Sequence, residues 1–179
     1  SGAGTFNPTS LNVNGEAFEG ENVAYSDGAT ISQLLGGSMT SGLRYDLSVQ
    51  VGLRNDVVGP APGYTVALWN ATSNVQLCAS STPVATRTGY VNATCSYVAS
   101  GADDGESLEI RLSRPAGAAP PNHVPDQVEF DDVSLTESPA VVCVGSSCTA
   151  TFGYTGAAQR FVVPSGICQV QVRAIGAAG

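Results

Sequence analysis

Leu43–Leu53 reads Leu-Arg-Tyr-Asp-Leu-Ser-Val-Gln-Val-Gly-Leu. Leu43, Tyr45, Leu47, Val49, Val51 and Leu53 fall on one phase; Arg44, Asp46, Ser48, Gln50 and Gly52 fall on the other. Side chains alternate across a strand, so this segment has one face for a core and one for solvent. Wound as a helix, the same residues would bury an arginine and an aspartate. The segment is a strand, and a chain built around it is all-β.

Neighbouring segments follow the same rule. Asn22-Val-Ala-Tyr-Ser and Ala29-Thr-Ile-Ser-Gln-Leu-Leu precede it, with Asp27-Gly28 as the expected hairpin turn between them. After the Pro-Ala-Pro-Gly loop come strand-like runs starting near Tyr64, Val75, Thr88, Glu106 and Asp126. In the run from Glu106, Leu108, Ile110 and Leu112 point inward while Glu109 and Arg111 point out. Roughly eight strands with turn-rich connections make an antiparallel two-sheet sandwich, or jelly roll. A boundary at Glu137-Ser138-Pro139 divides residues 1–137, the sandwich, from residues 138–179, the start of a glycine-rich β module. In the latter, Cys168, Val170, Val172 and Ala174 alternate with Gln169, Gln171 and Arg173, which reads as a further strand. So short a piece is near the lower limit for a core of its own and should lean on other residues.

Composition narrows the function. The net charge is −8 and all seven basic residues are arginine, spread among fifteen carboxylates. Without clustered positive charge, nucleic acid is excluded as a partner. The absence of lysine removes isopeptide cross-links, which leaves disulfides as covalent bracing. Cys78 and Cys95 lie in neighbouring strand-like segments and suit a bridge across a hairpin, and Cys143 and Cys148 flank a short loop that a bridge would close; Cys168 is then left over, to pair with one of the latter two or with another chain. No cysteines form a Cys-x-x-Cys pair and the one histidine, His123, is distant, so zinc is a poor reading. Membrane insertion is not expected, because no apolar run nears the ~20 residues a spanning helix needs. The chain opens Ser-Gly-Ala-Gly with no visible signal peptide, so a secreted, cell-surface protein would start here at a processed end.

Residues 4–136 resemble a bacterial extracellular jelly-roll domain, often found in proteins with PEP-CTERM sorting signals and related to galactose-binding-like carbohydrate modules. The similarity is carried, in order, by residues 4–9, 20–36, 45–56, 63–69, 108–113 and by Val128-Glu-Phe-Asp-Asp-Val-Ser-Leu. Relative to that pattern an initial strand is lacking, and the tail looks like the opening of a glycine-rich surface module. The resemblance implies a structural calcium, held by an aspartate of the last strand with an early glutamate and backbone carbonyls. The matching residues are Asp132 and Asp131 with Glu19 or Glu16.

The residues themselves offer further candidates. Asp131 and Asp132 interrupt the alternation of their strand, and a bulge there would return Val128, Phe130, Val133 and Leu135 to the core. Trp69, Tyr64, Tyr90 and Tyr97 are possible sugar platforms, with Trp69 on the opposite phase from Tyr64, Val66 and Leu68. Asn70 and Asn92 each open an Asn-Ala-Thr glycosylation sequon. Asp103-Asp104-Gly105-Glu106 reads as ordinary turn chemistry. His123 serves no nucleophile motif, and no two carboxylates stand out as a catalytic pair. The expectation is a non-catalytic extracellular protein, structural or adhesive. It would be completed by strands from copies of itself or from other surface proteins, as in a filament or matrix. The alternative is a carbohydrate-binding module for extracellular glycans. No cofactor is expected beyond the calcium.

Overall fold

The structure is a computed structural model that describes residues 2–9, 12, 17–57, 60–115, 127–153, 158, 161, 163 and 166–176. Eleven strands are formed among them, in chain order: β1 (Ala3–Phe6), β2 (Val23–Ser26), β3 (Thr30–Ser38), β4 (Leu43–Leu53), β5 (Thr65–Asn70), β6 (Val75–Ser80), β7 (Val91–Val98), β8 (Ser107–Ser113), β9 (Val128–Pro139), β10 (Val141–Val144) and β11 (Ser147–Ala150). Nine of them build two antiparallel sheets, ordered β1-β2-β9-β4-β7 and β3-β8-β5-β6. The fold is the expected all-β sandwich of jelly-roll type.

Strand β4 lies between β9 and β7, and its inward row is sealed: Tyr45, Leu47, Val49, Val51 and Leu53 are each at most 1% exposed. Val128 and Phe130 of β9 and Ala93 and Cys95 of β7 extend that inner face. From the other sheet it meets Val66, Leu68, Leu108, Ile110 and Leu112. Burial of this apolar area is the principal stabilising term. On the outer face of β4, Arg44 donates to Asp46 at 2.8 Å and to the Ser96 hydroxyl at 3.1 Å.

Two local expectations change. Asp27-Gly28 does not close a hairpin, because β2 and β3 belong to different sheets; the turn is a corner of the sandwich, with Gly28 at φ 123°. The bridge Cys78–Cys95 is formed, but it joins β6 at the edge of one sheet to β7 at the edge of the other. Sequence neighbours with strand character need not share a ladder, and here burial of both inner faces separates them. The second bridge, Cys143–Cys148, closes the β10–β11 hairpin as expected, and Cys168 is free and exposed.

The last sandwich strand runs past the expected boundary, since Leu43 pairs with Pro139 and the Ala140 N–H donates to the Gly42 carbonyl. The strand expected over residues 168–174 is not formed; Val170 and Val172 are exposed and no ladder includes them. Alternation supplies a face, whereas a strand also needs a partner. The turn at Asp103–Glu106 is as read: the Asp103 carboxylate accepts from the Ser100 N–H and the Tyr97 hydroxyl, both at 2.8 Å.

The inter-sheet bridge closes a loop with a sequence separation of 17, so Cys78→Ser with Cys95→Ser should cost about 3 kcal/mol of unfolding free energy. Urea denaturation of the oxidised protein and the double variant measures this; a difference below about 1 kcal/mol would mean the sheets are held without the clasp.

Candidate functional sites on the two outer faces

Strand β9 carries the predicted bulge. Ser48 pairs with Ser134 but Gln50 pairs with Asp131, so three steps on β9 oppose two on β4. Asp132 absorbs the extra residue at φ 43°. The bulge returns Leu135 to the core but not Val133, which remains 45% exposed. Strand β2 pairs only with Val128 to Phe130, so Val133 has no sheet neighbour on that side.

Ahead of the bulge, the burial of Val128 and Phe130 forces Glu129 onto the outer face. There it is nonetheless 0% exposed. Its rung partners are Tyr25 on β2 and Gly52 on β4. The Tyr90 ring lies on Gly52, where a Cβ would come within 2.9 Å of a ring carbon, so only glycine admits the ring. Phe18 stands edge-on to Tyr90 with centroids 5.8 Å apart. Phe18 is held by Asp131, whose Oδ2 accepts the N–H groups of Phe18 and Glu19 at 2.8 and 3.1 Å. On the other flank, Tyr25 stands edge-on to Phe6 with centroids 5.7 Å apart. The result is a fully buried carboxylic side chain on a sheet face that also carries these aromatic groups. Burial, then the charges of Glu129 and Asp131, push the Tyr90 phenol well above its ordinary range, so it stays protonated.

The four-stranded sheet presents a different outer face. Val66 and Leu68 point inward, so Thr65, Ala67 and Trp69 point out. Strand β6 inserts Leu77 as an extra residue opposite Leu68 and Trp69, which sets Trp69 beside Gln76. Arg111 lies over the Trp69 ring at 4.1 Å and pairs with Glu109 at 2.6 Å. Hydrogen bonding from Arg111 holds the Glu109 carboxyl below the usual carboxylate range, so it is ionised. Together with Thr30 and Ser113 these residues line an open groove of about 480 Å³.

The sequence candidates fall unevenly on these sites. Trp69 lies in the groove, with one ring face taken by Arg111. Tyr64 is core, 2% exposed, and its hydroxyl donates to the Pro83 carbonyl at 2.6 Å; it offers no sugar platform. Asn70 is 2% exposed and accepts from the Thr72 and Ser73 N–H groups, whereas Asn92 is exposed on β7. Glu16 and His123 lie outside the described residues. The calcium set is not assembled among the described residues: no three acidic, histidine or cysteine side chains converge. Asp131 takes backbone N–H donors, which is the opposite of a cation ligand's environment, and Glu19 joins it through its N–H. Sequence reading missed Glu129, Phe18, Tyr25, Glu109 and Arg111, and offered Tyr90 only as a sugar platform. The one available signal was Gly52, a residue without a side chain on the otherwise polar face of β4.

A family described as HpiC1-like, HpiC1 cyclase, matches residues 1–136. Among solved structures, a Stig cyclase from Fischerella sp. TAU in complex with (3Z)-3-(1-methyl-2-pyrrolidinylidene)-3H-indole is 26% identical, covering 77% of this chain and 74% of its own, with a TM-score of 0.60. A cyclase from the same source in complex with 4-(1H-indol-3-yl)butan-2-one is 26% identical over 77% of this chain and 75% of its own, at TM-score 0.64. More loosely, a xylan-binding domain from Paenibacillus barcinonensis superposes at TM-score 0.47 with 17% identity, covering 78% of this chain and 83% of its own. No curated protein sequence matches the chain. The jelly-roll part of the expected resemblance is supported, and its PEP-CTERM part, like the adhesive and filament reading, receives no support. The expectation of a non-catalytic protein is overturned by the cyclase match. It rested on missing nucleophile and histidine motifs, which are signatures of hydrolysis. Ring closure within one molecule needs neither.

The tyrosines give a direct check of the buried cluster. Tyr90 titrates well above an ordinary phenol, and Tyr97, partly buried and bonded to Asp103, is pushed up to about 12. The folded state therefore holds these protons more tightly than the unfolded state, and stability falls as pH rises past about 10. At pH about 11 the native phenolate absorbance should fall short of that in denaturant, with Tyr90→Phe reducing the shortfall by one tyrosine. An unchanged shortfall in that variant would place Tyr90 in solvent.

Proposed function

The chain belongs to the HpiC1-like cyclase family, and from that premise we propose that it catalyses an acid-assisted ring closure on an indole-bearing substrate. The observation that carries the proposal is Glu129: a fully buried carboxylic side chain on the outer face of the sheet, beneath Tyr90 and beside Tyr25. The indole class is suggested by the ligands of the two Fischerella cyclases.

The chemistry asked of such a site is an isomerisation, so atoms and protons return to balance. A proton passes to an alkene of the substrate, the electron-rich aromatic ring attacks the carbon left positive, and a proton then leaves the new ring system. In this reading Glu129 gives and recovers that proton once the substrate displaces the rings that cover it. The faces of Tyr90, Phe18 and Tyr25 stabilise the positive charge while it exists. Tyr90, held protonated, donates a hydrogen bond without becoming a competing base. Asp131 acts through the backbone: by fixing residues 18 and 19 it holds Phe18 over the cluster. Exclusion of water matters as much, because water would capture the cation before the ring closed.

The two disulfides, and the absence among the described residues of a helix long and apolar enough to cross a membrane, are consistent with secretion.

Incubating the protein with indoles that carry alkenyl side chains should yield a product of unchanged mass and new retention time, with the alkene resonances lost in NMR. Glu129→Gln should lower the rate by about 100-fold or more, and Tyr90→Phe by about tenfold. Thermal melting of each variant separates lost chemistry from lost folding. A folded Glu129→Gln that cyclises at the native rate would remove Glu129 from the mechanism; no isomer from any alkenyl indole would remove the substrate class.

A further inference from the structure

We propose that the groove on the outer face of the four-stranded sheet is a second binding site, built for a neutral, hydroxyl-rich ligand, namely a short oligosaccharide. It lies on the sheet opposite to Glu129 and does not rest on the cyclase reading.

Relief is the first argument. Ala67 on the central strand β5 is 1% exposed and supplies a low floor, flanked by Thr65 and Ser113 on one side and by the Trp69–Arg111 stack on the other. The volume of about 480 Å³ lies within the range of small-ligand sites.

Unspent hydrogen-bonding capacity is the second. The side chains of Thr30, Thr65, Gln76 and Ser113 all border the groove, and none makes a side-chain hydrogen bond to any described residue. Hydroxyls and an amide each offer both a donor and an acceptor, which is the complement of a sugar hydroxyl.

Charge is the third. The charged side chains in the groove are Glu109 and Arg111, and they neutralise each other at 2.6 Å. The pair still presents a fixed acceptor beside a fixed donor, with the guanidinium further anchored on Asn74 at 3.0 Å. A phosphate or carboxylate ligand would find no uncompensated cation here. A flat apolar ligand would meet mostly hydroxyl, amide and ionic walls, and Arg111 already occupies one face of the indole. A neutral polyol loses least on leaving water for this surface.

The chain has a single tryptophan, and it is Trp69, so tryptophan emission reports the groove alone. Titration of the native protein with cello-, xylo- and galacto-oligosaccharides should produce a saturable emission change with at least one of them, confirmed by calorimetry. Removing two hydrogen-bonding groups from the exposed rim and wall, Gln76→Ala with Thr65→Val, should weaken that affinity about fivefold per bond lost. Filling the groove from its side with Ser113→Tyr should abolish binding, and melting curves establish that each variant is folded. The proposal is overturned if no neutral oligosaccharide saturates, if only an indole or an oligogalacturonate does, or if the folded Gln76→Ala, Thr65→Val protein binds undiminished. Binding is read without turnover, so a failed ring-closure assay leaves this result unaffected.

Discussion

The pairing of β4 with β9, with one extra residue at Asp132, is the constraint on which the rest of the architecture depends. β4 contributes the sealed inward row that the opposite sheet packs against. β9 must match it, so Val128 and Phe130 are drawn inward by the same apolar demand. Side chains alternate across a strand, so Glu129 between them has no choice of face. The bulge that follows resets the phase for Leu135, while Asp131, still paired with Gln50 in the ladder, turns its carboxylate to the N–H groups of residues 18 and 19. A core requirement on one side of the sheet thus places an acid, and its cover, on the other.

Buried acids of this kind are costly. A carboxyl group loses hydration when aromatic rings enclose it, and the sheet must hold it there with other interactions. The cover is held partly by polar contacts. Asp131 accepts two successive N–H groups and fixes the segment bearing Phe18, while Gly52 removes the side chain that would otherwise lift Tyr90 off the sheet. These are positional devices, and the apolar interior on the far side supplies the free energy that lets them persist.

How far the sequence could be read follows from whether a feature is local. β4 and β8 were legible because period-2 alternation is a property of neighbouring residues, and both cysteine pairs were legible because their partners are near in sequence. The sheet membership of β2 and β3, or of β6 and β7, was not, since a corner and a hairpin use the same turn residues. Trp69 and Tyr64 were known to face opposite ways; which faced out depended on where Val66 and Leu68 had to go. Residues 168–174 alternate well and form no strand, because a ladder partner is not encoded in the segment itself. The acid cluster was least legible of all. Glu129 reads as one more outward charge of a surface strand until residues 18, 52 and 90 are brought to it by the fold.

That difference also explains why catalysis was discounted from the residues and then required by the family. Hydrolytic sites advertise themselves through a nucleophile and a base in recognisable contexts. A ring-closing site needs a proton source, π-faces and the exclusion of water, all of which are supplied by common residue types in an uncommon enclosure. On this sandwich the two outer faces differ in kind. The face of the five-stranded sheet carries rings around a buried carboxyl group. The face of the four-stranded sheet is open and lined with polar groups in balanced charge. One core, packed from both sides, gives each face a rigid floor without forcing the same chemistry on both.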